Sequence, residues 1–150
     1  MTLKNTIQFF ESLEAETNKK SEIQVYQEFI QIIRSLEKKG LSDTKIQSIE
    51  TALNHLNLQS NPSNRKKYFK TTLKAFKKYL KDTFSFVPKG YYTTLYAGLG
   101  LSFGLLFGVA ILHNLERSLG ISIGLMGGVL VGSIMGRSKD AQAKASGNIL

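Results

Sequence analysis

The chain has 150 residues, no cysteine and a formal net charge of +9, and its two halves differ sharply in composition. The absence of cysteine excludes disulfides and thiol chemistry. Residues 1–64 carry seven basic and eight acidic side chains, residues 65–89 carry nine basic and one acidic, and residues 91–150 carry four basic and two acidic. The positive charge is therefore concentrated just ahead of an almost uncharged, glycine-rich half.

Three amphipathic helices are predicted in residues 1–60, because apolar residues recur there at helical spacing between polar stretches. The expected helices run from Thr2 to about Glu16, from a cap at Ser21 to a stop at Gly40, and from a cap at Ser42 to near Leu56. We expect these helices to form a small cytoplasmic region.

A fourth helix, within residues 61–90, is predicted to be both basic and amphipathic. Asn61 and Pro62 favour its start, because proline is common at the first position of a helix. Its apolar face carries Phe69, Leu73, Phe76, Leu80 and Phe84. A basic amphipathic helix directly ahead of a membrane span typically lies at anionic headgroups. The candidate lipid-contacting residues are Lys70, Lys74, Lys77, Lys78, Lys81 and Lys89.

Two other interpretations of this fourth helix remain open. Its apolar face is equally suited to the core of a four-helix domain, with the lysines on the solvated side. Nucleic-acid binding is the weaker alternative, because the basic patch lacks a recognised motif and precedes a membrane segment.

Two long uncharged segments follow. Residues 93–112 are predicted to form a helix of about 30 Å, which would match the hydrocarbon core of a bilayer. Residues 118–136 are also uncharged, and the short segment between the two suits a tight turn with Asn114 as a cap. The sequence therefore predicts an all-α membrane protein: an antiparallel transmembrane hairpin in residues 91–137, preceded by a four-helix cytoplasmic region and followed by a polar tail, 138–150.

Glycine recurs every fourth residue in both segments, which is unfavourable for a helix in water but permits close helix packing in lipid. If the helices fold back about Asn114, residues at equal depth have numbers that sum to 228, twice 114. The predicted pairs are Gly108 with Gly120, Gly104 with Gly124, Gly100 with Gly128, Tyr96 with Gly132, and Tyr92 with Gly136. We expect the two tyrosine rings to lie over their glycines. The alternative is a zipper that faces a neighbouring subunit.

Flanking charge predicts the orientation of the hairpin. Basic residues precede the first span and follow the second, whereas the turn holds only Arg117, offset by Glu116. Under the positive-inside rule, both termini are expected in the cytoplasm.

Residues 91–150 resemble the bacterial glycine-zipper two-span membrane proteins. The resemblance lies in the glycine repeats of both spans and in the mixed-charge ending "GRSKDAQAKASGNIL". It implies a location in the bacterial inner membrane and defines an architecture more than an activity.

No catalytic set, metal-ligand spacing or cofactor motif occurs in the sequence, so we expect neither a catalytic residue nor a metal or cofactor site. The leading hypothesis is a non-enzymatic integral membrane protein that acts as a scaffold or accessory subunit. Its expected partners are a bilayer with anionic headgroups and a homo-oligomer or larger membrane complex. The alternative is an oligomeric channel or membrane-permeabilising protein.

Overall fold

The computed structural model describes residues 1–60, 62–110 and 117–150. All regular elements in these residues are α-helices, which confirms the predicted all-α class, and one isolated parallel β-bridge joins Val87 to Ile149. The helices are α1 (Leu3–Ala15), α2 (Lys20–Lys38), α3 (Asp43–His55), α4 (Arg65–Phe84), α5 (Tyr91–Ala110) and α6 (Arg117–Ala145). They fall into two compact units, Met1–Phe86 with Leu150 (the N-terminal unit) and Val87–Ile149 (the hairpin unit).

The N-terminal unit is built around a cluster of buried aromatic rings. Helix α1 packs against α2, and α4 packs against α2 and α3. The ring of Phe10 stacks on Phe29 with 4.3 Å between centroids, and Phe69 meets Phe10 edge-on at 5.6 Å. Phe76 stacks on Phe29 from the other side of the cluster. Burial of each such ring stabilises a fold by about 1.5–3 kcal/mol, so this cluster is a sufficient reason for the helices to associate.

Helix α4 belongs to this core. Its residues Phe69, Leu73, Phe76 and Leu80 are all buried, and only Phe84 at its end is partly exposed. The structure thus groups α4 with α1–α3 in one unit, as expected for the alternative of a four-helix core, although the sequence predicts residues 1–60 and 61–90 as separate regions. The physical reason is that apolar faces on neighbouring amphipathic helices bury more surface together than apart. The apolar face of α4 is therefore occupied by protein.

Two helix starts differ from the expected positions. Helix α2 begins before Ser21, which lies inside its first turn and is not its cap. Helix α4 begins after Asn64, whose side-chain oxygen accepts a hydrogen bond of 3.0 Å from the backbone N–H of Lys67. That bond satisfies one of the N–H groups in the first turn, which have no acceptor within the helix. In a helix that began at residues 61–62, Asn64 would not be the cap and could not serve this purpose. Asn61 lies outside the described residues.

In the hairpin unit, α5 and α6 pack against each other along their length. Helix α6 continues to Ala145, so most of the polar segment 138–150 is helical and not a separate tail. The turn after Ala145 includes Gly147, which has a φ of +70°, a conformation that glycine adopts without strain. Beyond it, the backbone N–H of Val87 donates to the carbonyl of Asn148 at 3.0 Å.

Both helices of this unit are long and apolar enough to cross a membrane, as expected. The mean hydropathy is 1.5 for Tyr91–Ala110 and 1.8 for Ser118–Ala145. Only 11% and 22% of their most apolar windows are buried within the structure, so they differ from the core helices of a water-soluble protein. The predicted cap Asn114 and the turn between the helices lie outside the described residues.

Candidate functional site

The candidate site is the contact between α5 and α6, where main chain meets main chain. A Cβ atom built on Gly100, Gly104, Gly108, Gly124 or Gly128 would overlap the opposite backbone; on Gly108 it would stand 2.5 Å from the carbonyl oxygen of Gly120. The facing pairs are Gly108 with Gly120, Gly104 with Gly124, and Gly100 with Gly128. They are the pairs obtained by counting about Asn114, and they run antiparallel. Only glycine fits at these positions, because any side chain would push the helices apart.

The contact continues past the glycine pairs toward the start of α5. A Cβ on Gly132 would overlap the carbonyl of Tyr96, and one on Gly136 would stand 2.6 Å from the carbonyl oxygen of Tyr92. The sequence predicts that the rings of Tyr96 and Tyr92 cover these two glycines. The nearest atoms are instead the main chain of α5, with the Cα atoms of neighbouring residues. The close approach of the two backbones thus extends over five successive turns of α6.

Large side chains lie on the outside of this hairpin. Every exposed large hydrophobic residue among those the structure describes belongs to α5 or α6. Phe103 and Met126 are each 68% exposed and Ile134 is 67% exposed, whereas Gly104, Gly124 and most other contact glycines are buried. A water-soluble protein places its large apolar side chains inside, so this arrangement is inverted.

Two serine hydroxyl groups of these helices donate hydrogen bonds to the backbone of their own helix. Ser102 donates to the carbonyl of Gly98 at 3.2 Å, and Ser122 donates to the carbonyl of Ser118 at 2.9 Å. Such bonds satisfy the hydroxyl within one helix. These two groups are therefore engaged locally and do not form a polar path along the hairpin.

A carboxylate from α6 closes the other end of the contact by capping α5. Asp140 accepts 3.0 Å hydrogen bonds from the backbone N–H groups of Tyr92 and Thr93, and a 2.6 Å bond from the Thr93 hydroxyl. These N–H groups lie in the first turn of α5, which has no intrahelical acceptor for them and carries the positive end of the helix dipole. The cap thus links the C-terminal part of α6 to the start of α5.

The environment of Asp140 favours its ionised form. Burial alone raises the pKa of this carboxyl, but the hydrogen bonds from Thr93 and Tyr92 lower the pKa more, leaving it below its ordinary value of 3.8. The sequence predicts Asp140 only as part of a polar tail and does not predict its role as a cap. The same count about Asn114 sets residue 140 level with residue 88, just ahead of α5, and so gave a usable signal.

The basic residues of α4 divide into two groups. Lys70, Lys74, Lys78 and Lys81 are exposed on the outer face of the helix. Lys77 is half-buried and pairs with Glu28 of α2, so it faces the protein. Lys78 also pairs with Asp82 one turn further along α4, at 3.2 Å. Lys89 is exposed in the segment before α5.

No protein-family model, curated protein or solved structure matches this chain. Within the described residues, no group of three His, Cys, Asp or Glu side chains is placed to hold a metal ion. The geometry of the hairpin and the charge of α4 are therefore the observations that bear on function.

Alanine substitutions test the main-chain contact. Gly104→Ala places a methyl group against the backbone of Gly124, so we expect a loss of about 1–3 kcal/mol in hairpin stability, the typical cost of overpacking. Gly98→Ala is the control, because a Cβ there meets nothing within 4 Å. Thermal unfolding of the full chain in detergent, followed by circular dichroism, measures both. Equal midpoints for the two variants would show that the contact does not hold the hairpin.

Asp140 makes the stability of the hairpin depend on pH. Its folded pKa lies below 3.8, so its contribution is complete above pH 3.8 and is lost as the pH falls through the folded pKa. At neutral pH, Asp140→Ala should cost about 1–2 kcal/mol, as for loss of other helix caps. Hydrogen exchange at the Tyr92 and Thr93 amides measures this, with Asp82→Asn as the control. The idea fails if these amides exchange equally fast in the wild type and Asp140→Ala at pH 7.

Proposed function

We propose that this chain is a non-enzymatic integral membrane protein whose α5–α6 hairpin crosses the bilayer and anchors the N-terminal helical unit as a scaffold or accessory subunit. One observation carries the proposal: the hairpin buries glycine and exposes large apolar side chains. In water such a surface is an aggregation liability. In lipid it is the expected arrangement, because acyl chains solvate the large side chains while small residues let helices approach.

The energetics favour lipid for both parts of this arrangement. Each Leu, Ile, Phe or Val near the centre of a span contributes about −0.3 to −0.6 kcal/mol to insertion. An interior glycine costs a helix in water about 1 kcal/mol relative to alanine. In a bilayer the backbone must remain hydrogen-bonded, so the helix is maintained despite its glycines. The same residues thus weaken a water-exposed hairpin and suit a membrane one.

The charges flanking the hairpin support a cytoplasmic location for both termini. Arg137, Lys139 and Lys144 follow the uncharged part of α6, and the lysines of α4 precede α5. The resemblance of residues 91–150 to bacterial glycine-zipper two-span proteins supports the bacterial inner membrane as the location. On this proposal, residues 93–112 and 118–136 are the membrane-spanning segments.

An anchor or scaffold explains the hairpin better than a pore does. Ionisable residues are absent from both spans, and Ser102 and Ser122 bond to their own helices. A water-filled pore needs polar groups directed into its lumen. The tight contact between α5 and α6 also uses the glycine rows within one chain. Association with further copies or with a larger membrane complex then involves the outer faces of the hairpin.

The exposed lysines of α4 are the proposed contact with anionic headgroups. Only residues 85–90 separate α4 from α5 in the chain, so a short linker joins the basic helix to the proposed first span. Since its apolar face is occupied by the core of the N-terminal unit, this contact is electrostatic and does not involve insertion of the helix. Lys77 contributes less than Lys70 and Lys74, because it is half-buried and pairs with Glu28.

Membrane topology can be mapped directly, because the chain contains no cysteine. We expect an impermeant maleimide to label His113→Cys in intact bacterial spheroplasts. Ser63→Cys and Ser146→Cys should react only in inside-out vesicles, since the positive-inside rule keeps both ends in the cytoplasm. Recovery of the chain in alkali-washed membranes is the accompanying control. Labelling of Ser146→Cys in intact spheroplasts would contradict the proposed orientation.

Vesicle flotation tests the headgroup contact, with residues 1–88 as the probe. Replacing Lys70 and Lys74 with glutamine should weaken binding to anionic vesicles by about 1 kcal/mol for each lysine. The matched control replaces Lys20 and Lys45, which are exposed on α2 and α3. Equal binding by the two double variants would show that the α4 face is not selective.

A further inference from the structure

A groove runs along one face of the hairpin, beside the glycine contact. Its volume is about 610 Å³. Contact glycines of both helices line its floor, Phe103 and Phe107 of α5 form one wall, and Ile123 and Val131 of α6 form the other. The lining is otherwise apolar, with Tyr96 near one end. The groove is thus a long, apolar cleft on the surface of the hairpin.

Gly127 keeps this groove open and has no role in the helix contact. A Cβ on Gly127 would meet nothing within 4 Å, although the residue lines the groove. Gly98 of α5 is equally open but lies outside the groove lining. Helix packing within the hairpin therefore accounts for neither glycine. At position 127, unlike position 98, a larger side chain would occupy the space between the two walls.

The close approach of the two helices limits what can enter the groove. Because the backbones of α5 and α6 touch at Gly104 and Gly124, the groove does not extend between the helices, and it holds only about 610 Å³. A helix about 10 Å across and about 30 Å long occupies about 2,400 Å³, so its body cannot enter a space of that size. An extended acyl chain is thinner and lies along the bilayer normal, as the proposed spans do. The shape therefore favours a lipid tail over a helix from a second copy.

A positive charge stands beyond one end of the groove. Lys139 follows Met135, a lining residue, by four positions and so lies one turn further along the same face of α6. Its ammonium contacts the Gln142 side chain at 3.4 Å and has no acidic partner in the part of the chain that the structure describes. On the proposed membrane insertion, the Lys139 ammonium lies at the depth of the lipid headgroups, where a phosphate carries the complementary negative charge.

We propose that the hairpin binds one anionic phospholipid, with an acyl chain in the groove and the phosphate at Lys139. This site rests on the proposed membrane insertion of the hairpin. It differs from the general attraction of the α4 lysines for anionic headgroups, because it retains a single lipid by shape and charge together.

Native mass spectrometry of the full chain in mild detergent tests the site, with phosphatidylglycerol and phosphatidylcholine as probes. The wild type should retain one phosphatidylglycerol. Gly127→Leu should retain at least about tenfold less, because the new side chain takes the place of several methylenes of the acyl chain. Gly98→Leu is the matched control and should retain the lipid. Val131→Trp fills the groove from its wall and gives a second, independent variant.

The charge is tested separately. Lys139→Gln should abolish the preference for phosphatidylglycerol over phosphatidylcholine, whereas Lys144→Gln, on another face of α6, should keep it. Wild-type lipid retention in both Gly127→Leu and Val131→Trp would overturn the proposal, as would a dimer that these variants dissociate. If the wild type resists alkaline extraction from membranes yet retains no lipid, only the groove proposal fails. If it is extracted by alkali, the membrane proposal itself fails.

Discussion

The contact between the main chains of α5 and α6 is the constraint on which the hairpin depends. It requires a glycine at each turn where the two backbones approach each other. The large apolar side chains must then lie on the outer surface of the hairpin. This close contact gives the hairpin its exposed apolar surface and the groove beside the contact, and it is the basis of the proposed membrane location. In lipid, van der Waals contact and weak Cα–H···O contacts between such backbones replace the hydrophobic effect as the force between helices.

The N-terminal unit is held together by the opposite principle. Its aromatic core, in which Phe10 contacts both Phe29 and Phe69, is buried from water and surrounded by polar and charged side chains. One chain therefore contains two units with inverted distributions of apolar residues. This contrast supports the proposal that the hairpin unit lies in lipid, since its surface resembles that medium, whereas the surface of the N-terminal unit resembles water.

Much of this architecture could be predicted from the sequence, because it depends on local periodicity. Glycine every fourth residue and a short turn determine which residues of two antiparallel helices lie at equal depth, so the pairing of Gly104 with Gly124 follows from counting. The number and order of the helices follow from apolar spacing in the same way. These features need only the geometry of one helix or one hairpin.

The features that could not be predicted depend on what a side chain meets across space. The sequence of α4 does not say whether Phe76 faces lipid or protein, since both surroundings favour the same spacing. It does not distinguish Lys77, which meets Glu28, from the exposed Lys74. For Gly132 and Gly136, the sequence predicts which residues of α5 lie at the same depth but not which of their atoms come closest. The crossing of the two helices decides whether a tyrosine ring or a main-chain carbonyl lies against each glycine.

The Asp140 cap has a consequence for biosynthesis. Asp140 is added to the chain 48 residues after Tyr92 and 47 residues after Thr93, so during translation the N–H groups of these two residues at first lack the carboxylate that accepts their hydrogen bonds in the finished chain. Protein satisfies these polar groups at the start of α5 only once the C-terminal part of α6 has been made. On the proposed membrane insertion, the hairpin and not the single helix is therefore the unit whose insertion is complete, and the end that Asp140 caps closes last.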